Sequence, residues 1–192
     1  STFQKIGVTQ KDRVILCIQK SLIFVVAHLA LQKIGAICVP LNPGFKKFEM
    51  DYLLQDADAC LILAEPEKEH HVREIDPKLT ALIVDTQKPY QEIDFFMTAP
   101  EKYSRVAIGP DDPGLIIYTS GTTGKPKGAV LTQKNLTHDA MNINHIWQIS
   151  EMDVLCHALP LFHVHGLCFA LHTSLLAGAH VVMLDQFLPH WV

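Results

Sequence analysis

Residues 115–130, LIIYTSGTTGKPKGAV, join two apolar segments through a run of small, hydroxylated and cationic residues. The apolar run LIIY predicts a buried strand, and GAV begins a second extended segment. The residues between them do not fill a hydrophobic core, because they are glycine, threonine, serine, lysine and proline. A glycine-rich loop directly after a buried strand is typical of a phosphate-binding site.

The loop supplies every kind of donor that a phosphate group needs. Glycines let the backbone approach a ligand closely, and successive backbone N–H groups form a concave anion site. Hydroxyl groups and the two lysines add further donors and positive charge. The Walker A pattern is excluded, since only two residues separate Gly121 from Gly124 and Pro126 follows Lys125. The alternative interpretation is a surface hairpin without a ligand.

The rest of the chain alternates between predicted strands and helices. Short connections and strands that are apolar on both faces predict an α/β fold, with a largely parallel sheet and helices on both faces. The predicted strands are residues 12–19, 36–43, 59–64, 81–85, 114–120, 129–132, 153–160 and 179–184, and the predicted helices are 21–35, 45–58, 66–76, 132–148 and 166–178. Residues 86–113 contain four prolines and predict a loop with at most a short helix, which is also the candidate junction between two lobes.

Composition excludes several functional classes. The 192 residues are 48% hydrophobic and 19% charged, which is typical of a globular domain with a sizeable core. A net charge of −4 argues against a nucleic-acid partner. Residues 166–184 lack Asp, Glu, Lys and Arg but contain two histidines, so we expect a buried helix and strand instead of a membrane span. Five cysteines without a CxxC motif predict a reducing, cytoplasmic location.

The loop and its flanking strand carry a family resemblance. The run YTSGTTGKPKGAVLT, residues 118–132, resembles the phosphate-binding signature of the adenylate-forming superfamily, which includes acyl-CoA synthetases and peptide-synthetase adenylation domains. LALQKIGAICVPLNP (29–43) and LPLFHVHGL (159–167) resemble two further family segments in the expected order. The resemblance implies that residues 1–192 are the front portion of the large N-terminal domain of such an enzyme.

The resemblance also implies an activity, an ATP-dependent carboxylate–CoA ligase. A small carboxylic acid would react with ATP, assisted by Mg²⁺, to give an acyl-adenylate and pyrophosphate, and coenzyme A would then displace AMP. Lys125 occupies a variable position of the family pattern and is expected to be solvated. The phosphate-binding residues implied by the resemblance are Thr119, Ser120, Gly121, Thr122, Thr123, Gly124 and Lys127.

Three histidines lie close together in CHALPLFHVHGL, residues 156–167. His163 matches a histidine of the family pattern, which implies that it faces the acyl carboxylate and the α-phosphate, with Phe162 lining the same pocket. His157 and His165 are interpreted equally as ordinary core or pocket residues, although a second imidazole at His165 would suit a small dicarboxylate, as in malonyl-CoA-type synthetases. The spacing matches no zinc pattern, so we predict no metal site.

The remaining family motifs have no counterpart in this sequence. We expect the adenine-binding, ribose-binding and lysine-bearing segments beyond Val192, and therefore little or no ligase activity from these 192 residues alone. A peptide-synthetase adenylation domain is the main alternative, but its specificity aspartate is missing between Asp153 and Asp185. A non-catalytic nucleotide-binding module is the alternative from another class, and the intact loop with Lys127 argues against it.

Overall fold

A computed structural model describes residues 2–93, 104–120 and 125–185. The predicted phosphate-binding residues Gly121, Thr122, Thr123 and Gly124 therefore lie outside the described residues. The helices are α1 (Thr2–Lys5), α2 (Leu22–Lys33), α3 (Lys47–Ala57), α4 (Glu69–Ile75), α5 (Gln133–Trp147), a π-helix (His165–His172) and α6 (Thr173–Ala177), with short 3₁₀ turns at Pro66–Lys68 and Tyr90–Glu92. The strands are β1 (Arg13–Cys17), β2 (Ile37–Pro40), β3 (Leu61–Ala64), β4 (Thr80–Ile83), β5 (Pro113–Thr119), β6 (Lys127–Thr132), β7 (Val154–His157) and β8 (His180–Met183).

Six strands form one sheet in the order β4-β3-β1-β2-β5-β6. Strands β1 to β5 pair in parallel, and β6 returns antiparallel to β5 as the second arm of a hairpin. The predicted largely parallel sheet is confirmed. The hairpin that carries the glycine-rich loop is its antiparallel exception, and it lies at the edge of the sheet.

The sheet is covered by helices on both faces, as the sequence predicts. Side chains of a strand alternate between the two faces, and in β1 both sets are buried. Val14 and Leu16 join a cluster with residues of α2, whereas Ile15 and Cys17 join a cluster with residues of α3. Each face therefore has its own hydrophobic core.

Helix α2 begins and ends where its sequence indicates. The Ser21 side chain accepts a hydrogen bond from the Phe24 backbone N–H, which satisfies a donor that the first turn leaves unpaired. Gly35 follows the helix with a φ of 69°, a backbone conformation that residues with a side chain rarely adopt. These two residues fix the length of the helix.

Strands β7 and β8 form a separate parallel pair. One face of this pair, which carries Val154, Cys156, His180 and Val182, is exposed. The prediction of apolar strands that are buried on both faces is therefore wrong for β7 and β8. On the other face of the pair, Val181 and Met183 pack against the core cluster that includes residues of the π-helix.

The helix predicted at 166–178 is two different helices. Residues 165–172 form a π-helix, and only the following five residues are α-helical. Backbone hydrogen bonds in a π-helix join residues five apart. The Thr173 hydroxyl donates in addition to the carbonyl of Cys168. At the same end, the Nε2 atoms of His28 and His172 lie 2.7 Å apart.

All five cysteines are free thiols. None of the helices formed by the described residues has the length and the apolar composition needed to cross a bilayer.

Candidate functional site

The hairpin arms bring three predicted site residues together. Strand β5 ends at Thr119 and β6 begins at Lys127, and these two residues pair directly across the hairpin. The Thr119 hydroxyl lies 3.4 Å from the Lys127 carbonyl oxygen, to which it donates. Thr119, Ser120 and Lys127 are all exposed at the end of the hairpin. A ligand bound at the end of the hairpin could therefore contact all three side chains.

Gly128 has a different role from the one that its sequence context predicts. The glycines of the loop are expected to let the backbone approach a ligand, but Gly128 lies within β6, opposite Tyr118. A Cβ atom at this position would lie 2.8 Å from the Cγ2 atom of Ile116. Gly128 therefore allows the two arms to pack closely, and its contribution is steric rather than conformational.

The two lysines of the loop lie in different surroundings. Lys127 begins the β6 strand, whereas Lys125 lies outside it. The Lys125 ammonium nitrogen is 5.5 Å from the ring centre of Tyr52 on α3. Lys125 is exposed, as predicted, but its charge lies over an aromatic ring instead of only in water.

A cavity of about 560 Å³ separates β5 and the start of the loop from the segment that leads into the π-helix. Its lining includes Thr119 and Ser120 on one side and His163 and His165 on the other. The structure thus brings the predicted His163 to the same cavity as two predicted phosphate-binding residues. Phe162 is not among the described lining residues, and its ring lies beside His163 with 4.5 Å between ring centres.

His157 holds the segment that carries His163. Its Nε2 atom lies 2.8 Å from the Gly166 carbonyl oxygen, so Nε2 carries the proton and donates. Burial lowers the pKa of this imidazole, while the bond to Gly166 opposes the shift. The Lys20 ammonium group donates to the backbone carbonyl of His157 over 2.6 Å. These contacts fix both ends of residues 157–166 and tie them to the β1–α2 connection.

Gly166 lies directly against the backbone of Pro160 in this segment. A Cβ atom built on it would lie 2.1 Å from the carbonyl oxygen of Pro160. Sequence reasoning missed Gly166 and Lys20, because both act through contacts with residues that the local pattern does not specify. The local signal was a glycine at the first position of the predicted helix 166–178, where glycine lowers helix propensity.

The lining of the cavity is suited to an anion. Hydroxyl and imidazole groups supply donors, and no carboxylate is present among the described residues that line it. In the ranges 2–93, 104–120 and 125–185, no three His, Cys, Asp or Glu side chains are grouped so that they could hold a metal ion. The arrangement can bind and orient a negatively charged group, and Lys127 lies at its edge.

Comparison with known proteins gives relatives that are named as CoA ligases. The chain is 35% identical over 188 residues to oxalate–CoA ligase of Arabidopsis thaliana, covering 92% of this chain and 36% of the relative. It is 33% identical over 192 residues to mitochondrial malonate–CoA ligase ACSF3 of Bos taurus, covering 94% of this chain and 31% of the relative.

A solved structure matches the fold over nearly the whole chain. ATP-bound MatB from Rhodopseudomonas palustris superimposes with a TM-score of 0.92 at 32% identity, covering 98% of this chain and 38% of that protein. The chain thus spans about a third of the length of the relatives that it matches. A sequence model of the family described as AMP-binding enzyme matches residues 1–191. The chain belongs to the AMP-binding enzyme family.

Proposed function

We propose that this chain supplies the phosphate-binding hairpin and part of the acyl site of an ATP-dependent carboxylate–CoA ligase. The observation that carries the proposal is the cavity shared by Thr119, Ser120 and His163, which offers hydrogen-bond donors and, among its described lining residues, no carboxylate. Membership of the AMP-binding family supports the adenylating chemistry. Relatives named as oxalate–CoA and malonate–CoA ligases support coenzyme A as the acceptor.

In the first half-reaction, a carboxylate oxygen attacks the α-phosphorus of ATP, and the bond to pyrophosphate breaks. Negative charge develops on the departing pyrophosphate, so donors placed there stabilise the transition state. Thr119, Ser120 and Lys127 are proposed to fill this role, together with the loop residues Gly121, Thr122, Thr123 and Gly124. His163 is proposed to orient the carboxylate and to donate to the α-phosphate.

In the second half-reaction, the sulfur of coenzyme A attacks the acyl carbon, the bond to AMP breaks and the thiol loses its proton. Mg²⁺ is proposed to accompany ATP, where it would neutralise charge on the phosphates.

The proposed acid is small and carries two carboxylates. His165 lines the cavity together with His163, so a second imidazole is available for a second carboxylate. A long alkyl chain would leave that imidazole without a partner, which costs binding energy. An amino acid is a poorer fit, since a carboxylate best offsets the charge of an ammonium group and the described lining has none.

The chain is proposed to be the front portion of a larger AMP-binding domain. The exposed and largely apolar face of β7 and β8 supports this, because a two-stranded sheet with one uncovered face is marginally stable by itself. The five free thiols support a reducing compartment such as the cytoplasm.

A chimera tests this proposal. This chain would replace the matching residues of MatB from Rhodopseudomonas palustris, with which it shares a TM-score of 0.92. ATP–pyrophosphate exchange would be measured with oxalate, malonate, 4-coumarate, a long-chain fatty acid and a set of amino acids. We expect exchange that depends on a small dicarboxylate and falls about a hundredfold in Lys127→Ala, because a charged donor at the departing phosphate is lost. Lys134→Ala, an exposed lysine on α5, is the matched control.

Exchange driven by amino acids would favour the peptide-synthetase alternative. Exchange that is independent of any carboxylic acid, or equal in Lys127→Ala and Lys134→Ala, would contradict the proposed function.

A further inference from the structure

Helix α3 contacts the outgoing arm of the glycine-rich loop through its tyrosine. The Tyr52 hydroxyl donates to the backbone carbonyl of Pro126 over 3.1 Å. Pro126 lies between the two lysines, and the next residue is Lys127, the proposed phosphate ligand. A single hydroxyl on the helix therefore holds the backbone directly beside that lysine.

A carboxylate joins this contact to the incoming arm. The Tyr118 hydroxyl, on β5, donates to Oδ2 of Asp56 over 2.7 Å. The Tyr52 hydroxyl lies 3.3 Å from Oδ1 of the same residue, so its single proton is shared between this carboxylate and the Pro126 carbonyl. Burial raises the pKa of Tyr118, and the hydrogen bond to Asp56 raises it further. Burial and the neighbouring Asp56 also raise the pKa of Tyr52, so both hydroxyls keep their protons at neutral pH and act as donors.

The ring of Tyr52 provides a third contact. The Lys125 ammonium group lies 5.5 Å from its centre, which is within the range of a cation–π interaction. Lys125 is thereby held on the side of α3, and Lys127 is left in the strand opposite Thr119. The two lysines of the loop therefore have different neighbours, the Tyr52 ring for Lys125 and the strand residue Thr119 for Lys127.

These polar contacts are not what holds α3 on the sheet. The helix packs through its buried apolar residues, which are Met50, Leu53, Leu54 and Ala57. Asp56 is exposed, and Tyr52 and Tyr118 are only partly buried. Removing a hydroxyl or the carboxylate would therefore free the arm while the helix stays in place.

We propose that Tyr52, Asp56 and Tyr118 are positioning residues. They hold the outgoing arm, residues 125–127, in the position from which Lys127 contacts a bound phosphate. The phosphate part of this inference rests on the proposed function, whereas the anchoring of the arm does not. A fixed arm lowers the conformational cost of ordering Lys127 around a ligand.

The test compares two aspartates on the same helix end. Asp56→Asn removes the carboxylate that joins the two hydroxyls, whereas Asp58→Asn removes one that pairs with Arg13 instead. Both changes remove the same charge, and asparagine tolerates the left-handed backbone of Asp58, whose φ is 45°. Tyr52→Phe removes only the hydroxyl that reaches Pro126 and retains the ring, and Asp56→Glu retains the carboxylate.

Three readouts separate anchoring from general stability. The first is hydrogen exchange of the backbone amides of residues 127–130 in the unliganded chain, the second is affinity for magnesium tripolyphosphate by calorimetry, and the third is the urea midpoint. We expect Asp56→Asn and Tyr52→Phe to raise exchange several-fold and to weaken tripolyphosphate about threefold to tenfold, a typical effect of losing one hydrogen bond. Asp58→Asn should leave both unchanged, and Asp56→Glu should recover part of the affinity.

Unchanged exchange in Asp56→Asn would overturn the inference, and so would faster exchange with unchanged tripolyphosphate affinity. Equal effects of Asp56→Asn and Asp58→Asn would also overturn it, since the effect would then be one of net charge. If the unmodified chain binds no tripolyphosphate while exchange still rises in Asp56→Asn, the arm is anchored as inferred and it is the proposed function that fails.

Discussion

Replacing Gly166 with alanine should displace the segment that carries His163. The Cβ atom of alanine would lie 2.1 Å from the Pro160 carbonyl oxygen and 2.9 Å from its carbonyl carbon. Both atoms belong to the backbone, so no flexible side chain can move away. Relief of this overlap requires a backbone shift of roughly 1 Å, because a carbon–oxygen contact this short is strongly repulsive.

The expected cost can be compared with known cases of overpacking. Inserting a methyl group into a packed site usually costs about 1–3 kcal/mol. The same shift stretches the bond from His157 to the Gly166 carbonyl oxygen, and a lost hydrogen bond of this kind is worth about 1 kcal/mol. We therefore expect a loss of about 2–4 kcal/mol, or a lowering of Tm by roughly 5–15 °C for a chain of this length.

Gly109→Ala is the matched control. Its new Cβ atom would meet nothing closer than Asp112 Oδ2 at 3.6 Å, an ordinary contact. Urea and thermal unfolding of the two variants measure the stability difference, and the imidazole NMR signals of His163 report the displacement of the segment. Equal stability of Gly166→Ala and Gly109→Ala, with unshifted His163 signals, would refute the role of Gly166.

Three further predictions concern stability and ligand binding. Burial lowers the pKa of His172 to about 4, so its neutral form stabilises the fold above pH 6.5, and this contribution is lost as the pH falls towards 4. Through His172, the free energy of unfolding measured in urea should be about 2 kcal/mol lower at pH 5 than above pH 6.5. The His28→Gln, His172→Gln variant should depend less on pH, and an unchanged pH slope of its unfolding free energy would contradict this. Thr132→Ala should cost about 1 kcal/mol in urea unfolding, since the Thr132 hydroxyl caps α5 by accepting from the Asn135 N–H, and an unchanged midpoint would argue against the cap. Lys127→Ala should weaken tripolyphosphate binding by calorimetry about tenfold, whereas Lys134→Ala should not, and equal affinities would remove Lys127 from the site.

The strands and helices that the sequence predicts well are those with local signals. Ser21 and Gly35 delimit α2 because a serine cap and a glycine with positive φ act within one helical turn. The parallel sheet follows from the alternation of apolar strands with helices. The approach of His163 to Thr119 and Ser120 was expected only from the family resemblance, since no local pattern relates residues so far apart in the chain.

Features that depend on contacts distant in sequence could not be predicted. The π-helix at His165–His172 has an ordinary helical pattern, and its geometry depends on how the segment meets Pro160, His28 and the neighbouring helices. The role of Gly128 depends on the side chain of Ile116 across the hairpin. The contact between Tyr52 and Pro126 joins residues from separate elements of the fold.

The most direct test of the central claim is an NMR titration of the 192-residue chain with magnesium ATP. We predict that magnesium ATP shifts the amide signals of Thr119, Ser120 and Lys127 and the imidazole signals of His163. All of these shifts should saturate with one dissociation constant. Magnesium tripolyphosphate should shift the same three amides. Shifts confined to other surfaces, or the absence of saturation at the hairpin, would contradict the claim that this loop binds a polyphosphate.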